Sequence, residues 1–331
     1  MSDMNPILQV KDLHTSFKTN AGYVPSVNGV SFHVNKRQTL AVVGESGSGK
    51  SVTALSIMGL IEKPGKIEKG SIQLGKTELT TTKEKEYRKI RGNEIAMIFQ
   101  EPLTSLNPLF TIGNQISESI KLHQGLNKNS AKEKVIELLN HVGIPRAEKI
   151  YDSYPHTLSG GMRQRVMIAM ALSCKPKLLI ADEPTTALDV TIQAQILELM
   201  KKLKKDHDTA ILLITHDLGV VAEMADNVAV MYAGQIVEYA DVFSLFKDPK
   251  HPYTKGLLNS TPKFFEKNEK LESIRGTVPP PNAMPSGCRF NPRCPFAMEK
   301  CMKENPPLIE LDSGRKSRCW LVEDEGGNKN E

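Results

Sequence analysis

A glycine-rich stretch with one lysine and a following serine is the part of this sequence whose residue types most directly indicate chemistry. The stretch consists of Gly44, Glu45, Ser46, Gly47, Ser48, Gly49, Lys50 and Ser51. It fits the spacing G-x-x-x-x-G-K-S, in which glycines let several backbone N–H groups point at one phosphate chain. Lys50 can reach the β- and γ-phosphates, and the Ser51 hydroxyl can hold Mg²⁺. The stretch predicts a nucleoside triphosphate site; the alternative is a turn that binds nothing.

Two acids, Asp182 and Glu183, end a later apolar run at 178–181. If that run is a strand of an open α/β sheet, side chains at its carboxyl end face the ligand crevice. Asp182 can hold Mg²⁺, and Glu183 can orient an attacking water or accept its proton. Together with the glycine-rich stretch they predict phosphoryl transfer to water. The alternative is a pair of helix-capping acids.

A second glycine pair follows a serine in Ser159, Gly160 and Gly161. Ser159 is a good N-cap residue, and two glycines at a helix start expose backbone N–H groups. This arrangement predicts a second anion site, although ordinary helix capping explains the same residues.

Three single side chains are weaker candidates. Gln100 and His216 each follow an apolar run, where an amide or imidazole could reach the nucleotide but is also common as a structural hydrogen-bonding group. Phe17 lies upstream of the glycine-rich stretch and could stack on an adenine ring, with Tyr23 as the second choice. A core position is the alternative for both aromatic residues.

Four of the five cysteines lie close to the C-terminus, at Cys288, Cys294, Cys301 and Cys319. Five, six and seventeen residues separate them, and there is no C-x-x-C pair of the kind found in common zinc fingers. Four thiolates could hold a 4Fe–4S cluster or zinc, either of which would stabilise a small domain, and free thiols are the third possibility.

The elements that must position these residues follow an α/β pattern. Apolar runs at 39–43, 95–99, 178–183 and 210–215 predict buried strands, with shorter strands at 7–13 and 30–34 and a hairpin at 228–238. Helices are predicted at 50–61, 82–91, 112–122, 130–142, 166–172 and 192–203, the fourth with a capping box of Ser130 and Glu133. The segment 101–157 is a helical insert. After about residue 240 prolines cluster, so we expect a loop-rich tail without a large core of its own.

Length and charge narrow the class further. The chain has 331 residues, 39% of them hydrophobic, and a net charge of +5 with both signs mixed along it. The mild positive charge does not imply nucleic acid. No apolar run approaches the roughly 20 residues that span a bilayer, and the start lacks a secretory signal. We therefore expect a cytoplasmic protein that meets the membrane through partners.

Taken in chain order, the phosphate loop, Gln100, the 158–164 segment, the two acids, Asp189 and His216 resemble the ATP-binding subunits of ABC transporters over residues 7 to about 240. The resemblance implies an ABC ATPase domain over 1–240, with a helical subdomain at 101–157, and an extension over 241–331. It identifies Gln100 as the glutamine that senses Mg²⁺ and the attacking water, 158–164 as the signature motif, Asp189 as part of the D-loop, and His216 as the switch histidine. Phe17 would be the adenine-stacking aromatic.

The resemblance also implies partners. ATP with Mg²⁺ would lie between the phosphate loop of one subunit and Ser159, Gly160 and Gly161 of another, so that ATP favours the closed dimer. Two transmembrane permease subunits, an extracytoplasmic substrate-binding protein and a second ATP-binding subunit are expected. The second ATP-binding subunit is expected to be a different chain, with a second copy of this chain as the alternative. The protein would be peripheral, at the cytoplasmic face of the cell membrane.

The tail refines the resemblance. The chain is similar to the D-type ATPases of bacterial oligopeptide and dipeptide importers at 100–102 and 106–108. In the tail it is similar to them at His251–Thr254, Cys288–Phe290, Pro292–Pro295, Cys301 and Pro306–Leu308. In that branch the four cysteines imply a 4Fe–4S cluster. Nickel importers are close relatives and remain an alternative. A soluble ABC ATPase acting on nucleic acid or ribosomes lacks support, since no coiled-coil insert, zinc module or second phosphate loop is visible. The signature motif and His216 argue against a P-loop kinase or GTPase.

Overall fold

The computed structural model describes residues 6–20, 22–101, 105–186, 188–260 and 273–323. Pro102 and Ala187, which belong to the predicted loops after Gln100 and before Asp189, lie outside these ranges. The strands are β1 (Leu8–Thr19), β2 (Gly22–Val34), β3 (Thr39–Val43), β4 (Gly65–Leu74), β5 (Thr77–Glu78), β6 (Ile95–Ile98), β7 (Leu178–Asp182), β8 (Ala210–Ile214), β9 (Asn227–Tyr232), β10 (Gln235–Asp241), β11 (Ile309–Glu310) and β12 (Lys316–Ser317). The helices are α1 (Lys50–Met58), α2 (Glu84–Ile90), α3 (Ile112–Gln124), α4 (Lys128–His141), α5 (Ala147–Tyr151), α6 (Gly160–Leu172), α7 (Val190–His207), α8 (Leu218–Met224), α9 (Val242–Lys247), α10 (Pro252–Asn259) and α11 (Glu299–Lys303).

The chain divides into two compact units, neither of them continuous in sequence. The first unit comprises Met1–Leu8, Val34–Gln38 and Thr81–Leu213, and the second comprises Gln9–His33, Thr39–Thr80 and Ile214–Glu331. The two acids and the glycine pair belong to the first unit. The phosphate loop, defined as Gly44–Ser51, belongs to the second unit together with the described part of the C-terminal tail.

In the first unit, β8, β7 and β6 are neighbouring strands in that order. β6 and β7 are parallel, with Ile95 opposite Leu178, and every residue of the three strands is buried. Continuous burial explains why these strands appear in the sequence as unbroken apolar runs.

Helices α3, α4 and α5 lie in the first unit, between β6 and α6. α3 and α4 correspond to the two helices predicted in the insert, and the short α5 was not predicted. α4 begins earlier than expected, and its N-cap is Asn127, whose side chain accepts hydrogen bonds from the backbone N–H groups of Asn129 and Ser130 at 3.0 Å. The predicted capping box of Ser130 and Glu133 is therefore wrong. Ser130 lies inside the helix because Asn127 already satisfies the first free N–H groups.

In the second unit, β3 lies beside β9 in the order β11-β12-β10-β9-β3, and β2-β1-β4-β5 form a separate sheet. β3 and β9 are parallel, while β9 and β10 form the predicted antiparallel hairpin. β1 and β2 extend well beyond the predicted strands, so Phe17 and Tyr23 lie within strands rather than between them. Their exposed polar residues conceal this length in the sequence.

The tail shares the core of the second unit. β12 pairs with β10, placing Ser317 opposite Glu238. Phe290 packs edge-on against Tyr232 with ring centroids 5.2 Å apart, and both rings contact the buried Tyr253. The predicted separate cysteine-containing domain is not confirmed, because the tail packs on β9 and β10 and gains from them the core that its own composition lacks.

Within the described ranges, none of the helices has the length and apolar character needed to cross a bilayer.

Candidate functional site

The phosphate loop joins the buried strand β3 to helix α1, and two of its glycines are required by close backbone contacts. Gly44 has φ +151°, and a Cβ there would lie 2.2 Å from the Met231 carbonyl oxygen. Gly49 has φ +97°, and a Cβ there would lie 2.6 Å from the Ser26 carbonyl oxygen. The loop is therefore pressed against β9 and β2, a fit that only glycine allows.

Lys50 lies back across this loop. Its Nζ donates to the carbonyl oxygens of Gly44 at 2.7 Å and Glu45 at 3.0 Å, and it lies 3.4 Å from the Ser48 hydroxyl. The residue is only 8% exposed. A positive charge is thus fixed at the loop, beside the N-terminus of α1, where an anion is favoured.

Two residues of the tail contact the same loop at Glu45. The Glu45 backbone N–H donates to the Tyr253 hydroxyl at 2.8 Å. The Arg293 guanidinium donates to both carboxylate oxygens of Glu45, at 2.6 and 3.0 Å. This carboxylate raises the pKa of Arg293 further, and burial raises the pKa of Tyr253, so that the arginine stays charged and the tyrosine neutral.

In the first unit, the predicted catalytic acids occupy the carboxyl end of β7. Asp182 is 4% exposed, and Glu183 is half-buried with φ +49°, a left-handed conformation that is uncommon for a residue with a side chain. Thr186 Oγ1 donates to Glu183 Oε2 at 2.9 Å. A strained backbone at a carboxylate is a feature that clusters at functional sites.

The glycine pair begins α6, with Ser159 as its N-cap. The Ser159 hydroxyl accepts from the Met162 backbone N–H at 3.3 Å, which confirms the predicted cap. A Cβ at Gly160 would meet nothing within 4 Å, so the backbone is open on that side. Farther along α6, the buried Gln164 donates from Nε2 to the Pro184 carbonyl at 2.7 Å, which ties this helix to the residue after Glu183.

The remaining predicted side chains follow strand ends or cap a helix. Gln100 is exposed two residues after β6, and His216 is exposed two residues after β8. Asp189 is the N-cap of α7, accepting from the Ile192 backbone N–H at 3.0 Å. The roles of these three side chains in hydrolysis stay predictions.

The two candidate adenine-stacking aromatics differ in exposure. Phe17 is half-buried and lies against Gly65, where an added Cβ would come within 2.6 Å of the Phe17 ring. Tyr23 is 50% exposed, with Lys66 Nζ 4.0 Å from its ring centroid. Neither position tests the prediction, which stays with Phe17 first.

The four tail cysteines line one small cavity together with His251, Phe290 and Trp320, among other residues. Burial raises the pKa of Cys288, Cys294 and Cys319, and the neighbouring sulfurs raise it further. Across the described part of the chain, no three His, Cys, Asp or Glu side chains are arranged to hold one metal ion. The donor set suits a soft metal or cluster, while the arrangement of the sulfurs does not by itself form such a site.

Tyr253, Arg293 and Gln164 are site residues that the motif analysis did not assign. Tyr253 lies 208 residues and Arg293 lies 248 residues after Glu45 in sequence. The sequence carried only an indirect signal, since both belong to tail segments that supported the family resemblance. Gln164 was visible as part of the signature segment but had no predicted partner.

Comparison with known proteins identifies the family. Residues 27–186 match the ABC transporter family, and residues 237–301 match the C-terminal region of oligopeptide/dipeptide transporters. The oligopeptide transport ATP-binding protein AppD of Bacillus subtilis is 58% identical, covering 98% of this chain and 100% of that protein. The dipeptide transport ATP-binding protein DppD of Escherichia coli is 50% identical, covering 97% of this chain and 98% of that protein.

Solved structures show the same fold. The dimeric, post-hydrolysis structure of the ATP-binding cassette MJ0796 bound to ADP and Pi has a TM-score of 0.65 at 25% identity, covering 71% of this chain and 98% of that one. The structure of cbiO1 from Clostridium perfringens has a TM-score of 0.61 at 26% identity, covering 74% of this chain and 92% of that one. The chain belongs to the ATP-binding proteins of ABC transporters, in the group that carries the oligopeptide/dipeptide transporter C-terminal region.

Proposed function

We propose that this chain is the ATP-hydrolysing subunit of an importer of oligopeptides or dipeptides. The observation that carries the proposal is the phosphate loop, folded at a strand–helix junction with Lys50 fixed across it at 2.7 Å from the Gly44 carbonyl. The substrate class is supported by AppD and DppD, which are named for oligopeptide and dipeptide transport. The same names do not favour the nickel alternative.

We assign hydrolysis to the side chains that the motifs predict. Mg²⁺ would be held by the oxygen donors of Ser51, Asp182 and Gln100, a set that suits this ion, and it supplies charge neutralisation on the phosphates. Lys50 binds the β- and γ-phosphates, and Glu183, oriented by Thr186, positions the attacking water and accepts its proton. His216 donates a hydrogen bond to the γ-phosphate, and Phe17 stacks on adenine.

The second anion site serves a neighbouring subunit. Ser159, Gly160 and Gly161 would cover the γ-phosphate of ATP bound to the facing ATP-binding subunit. Asp189 would lie at the same interface between the two subunits. The dimeric MJ0796 structure, which has a similar cassette fold, supports a dimer as the working unit. A different ATP-binding chain is proposed as the partner, with a second copy as the alternative.

The proposed assembly includes two permease subunits, which contact the helical subdomain at 101–157, and an extracytoplasmic substrate-binding protein. The chain would be peripheral on the cytoplasmic face of the membrane. ATP hydrolysis resides in residues 1–240, and residues 241–331 form the transporter-specific extension. Nucleic acid has no part in this function.

The tail cysteines are proposed to hold a structural 4Fe–4S cluster, with zinc as the alternative. Their shared cavity and four-thiol chemistry support this assignment. Iron, sulfide and zinc analysis of the purified chain tests it: about four irons per chain support the cluster, and zinc alone supports the alternative. A purified chain that contains neither iron nor zinc would mean that the thiols are free, and it would overturn the proposed cluster.

Glu183→Gln is the most direct test of the ATPase role. In vesicles containing the assembled transporter, the variant should bind ATP but lose at least about 100-fold in both hydrolysis and peptide uptake, since the amide cannot accept the proton of water. The matched control is Glu299→Gln, whose carboxylate is 83% exposed in a surface pair with Lys303 and should be silent. Normal hydrolysis and uptake by Glu183→Gln would remove the assigned role.

A further inference from the structure

The contact between Arg293 and Glu45 joins a tail residue to the phosphate loop through a charge pair. Glu45 is the second residue of the loop, so the loop that binds a polyphosphate carries a carboxylate of its own. Its side chain is 31% exposed, whereas that of Arg293 is 4% exposed. A carboxylate within a phosphate-binding loop opposes the binding of a highly negative ligand unless its charge is compensated.

Arg293 is built to supply that compensation. It forms both hydrogen bonds of a bidentate pair with Glu45, a geometry that arginine provides and lysine does not. Its remaining donors are also held: Nε donates to the Arg275 carbonyl at 2.8 Å, and Nη2 donates to the Gly276 carbonyl at 3.2 Å. The guanidinium therefore has one fixed position.

The backbone segment that carries Arg293 is also held by hydrogen bonds. The residue ends a short 3₁₀ helix, Asn291–Arg293, whose Asn291 side chain donates to the carbonyls of Ser286 at 2.8 Å and Cys301 at 3.2 Å. Arg293 Cζ lies 5.7 Å from the ring centroid of Tyr232. A rigid segment of the tail thus holds a buried cation against the loop, which simple anchoring of the tail would not require.

We propose that Arg293 is a positioning residue for ATP binding: it neutralises the Glu45 carboxylate and holds the phosphate loop in its anion-accepting form. This inference rests on the proposed ATP-binding function and extends it to the tail. The tail is then part of the nucleotide site of this chain as well as a transporter-specific extension.

Affinity of the full-length chain for a fluorescent, non-hydrolysable ATP analogue tests the proposal. Arg293→Ala leaves an uncompensated carboxylate in the loop and should weaken binding about tenfold. The double variant Arg293→Ala with Glu45→Gln removes that carboxylate and should bind within about threefold of Glu45→Gln alone. A purely structural anchor would leave the double variant as weak as Arg293→Ala, and that result would overturn the proposal.

Salt provides a second readout. Raising NaCl from about 0.05 M to about 0.5 M should shrink the defect of Arg293→Ala to less than about threefold, because salt screens the repulsion. A defect that does not change with salt contradicts the electrostatic role. If Arg293→Ala fails to fold, Arg293→Gln makes the same comparison while keeping donors for the neighbouring carbonyls.

The matched control is Arg315→Ala. Arg315 is another largely buried tail arginine of the second unit, paired with Asp248 at 3.3 Å rather than with the loop. Its loss should leave ATP affinity unchanged, and an equal loss of affinity in both variants would contradict the proposal. Failure of the wild-type chain itself to bind the analogue would instead count against the proposed ATP-binding function.

Discussion

Glu45 in the phosphate loop and Glu183 directly after β7 are held by partners at very different separations in sequence. Glu183 is bonded by Thr186, three residues later, and the next residue is held by Gln164, twenty residues from Pro184. Glu45 is held by Tyr253 and Arg293, more than 200 residues away. The proposed catalytic acid is supported by residues of its own motifs, whereas the phosphate loop also depends on β2 and on β9 and a tail that follow much later. The loop should therefore be the more sensitive region to changes remote in sequence.

Gly44→Ala is the largest expected effect and tests how tightly the loop is pressed on β9. The new Cβ would lie 2.2 Å from the Met231 carbonyl at a positive φ, so unfolding free energy should fall by roughly 4 kcal/mol. Gly47→Ala is the control: its φ is +78° with nothing within 4 Å, and it should cost about 1 kcal/mol. Urea unfolding of both variants measures the change in unfolding free energy. Equal losses of stability in Gly44→Ala and Gly47→Ala would contradict the close packing of the loop on β9.

Gln164→Ala tests the local support of the catalytic acid. It leaves the Pro184 carbonyl without its buried donor and should lower unfolding free energy by about 2 kcal/mol. ATP turnover in the assembled transporter should fall about fivefold while ATP affinity stays constant. The lost hydrogen bond should displace the backbone beside Glu183 but leave the phosphate loop in place. Gln195→Ala, at an exposed position of α7, is the control. A loss of affinity equal to the loss of turnover would show that the two regions are not supported separately.

Acid should weaken the remote support of the loop. His251 is the N-cap of α10, and burial lowers its pKa to about 3. The folded chain therefore keeps the imidazole neutral, whereas in the unfolded chain it is protonated below its ordinary pKa of 6.5. Stability therefore falls as pH falls, by about 2 kcal/mol between pH 7 and pH 5. His251→Asn keeps an N-cap acceptor and should remove this part of the pH dependence.

The comparison is made by urea unfolding at both pH values. Glu238 accepts hydrogen bonds from the backbone N–H groups of Lys250 and His251, and burial raises its pKa, which acts in the opposite direction. Because the variant keeps Glu238, the difference from wild type isolates the histidine. His141→Asn, at a side chain 63% exposed on α4, serves as the control. An unchanged pH dependence in His251→Asn would contradict the assignment.

Tyr253→Phe is the smallest expected effect and sharpens the comparison at a single hydroxyl. Removing the acceptor of the Glu45 N–H should weaken ATP binding about fivefold, equivalent to about 1 kcal/mol. Tyr239→Phe removes a similar hydroxyl, which accepts from Asn227 at 3.2 Å away from the loop. Both variants should lose comparable stability, but only Tyr253→Phe should lose affinity in a titration with the ATP analogue. Equal affinities would mean that this bond does not shape the loop.

The elements nearest the chemistry were predictable from sequence because their signals are local. Thr39–Val43 coincides with the predicted strand, and the buried strands β6, β7 and β8 differ from prediction by one residue at most. Strands buried on both faces need continuous apolar runs, so their bounds are visible in the residues. β1 and β2 were underestimated because their partly exposed residues interrupt the alternation on which the prediction relied. Ser130 with Glu133 matches the capping-box spacing, whereas the cap at Asn127 has no acidic or amide residue three positions later to signal it.

The sequence by itself determined the candidate chemistry: the phosphate loop, the acids at the carboxyl end of β7, the Ser159 cap and the family to which they belong. These depend on residues adjacent in the chain, where spacing alone fixes geometry. Only the tertiary structure decided that Arg293 and Tyr253 reach Glu45 and that the tail shares the core of β9 and β10. Those contacts join segments whose separation along the chain carries no periodic signal, and in the fold they accompany the packing of the buried Phe290 of the tail against the buried Tyr232.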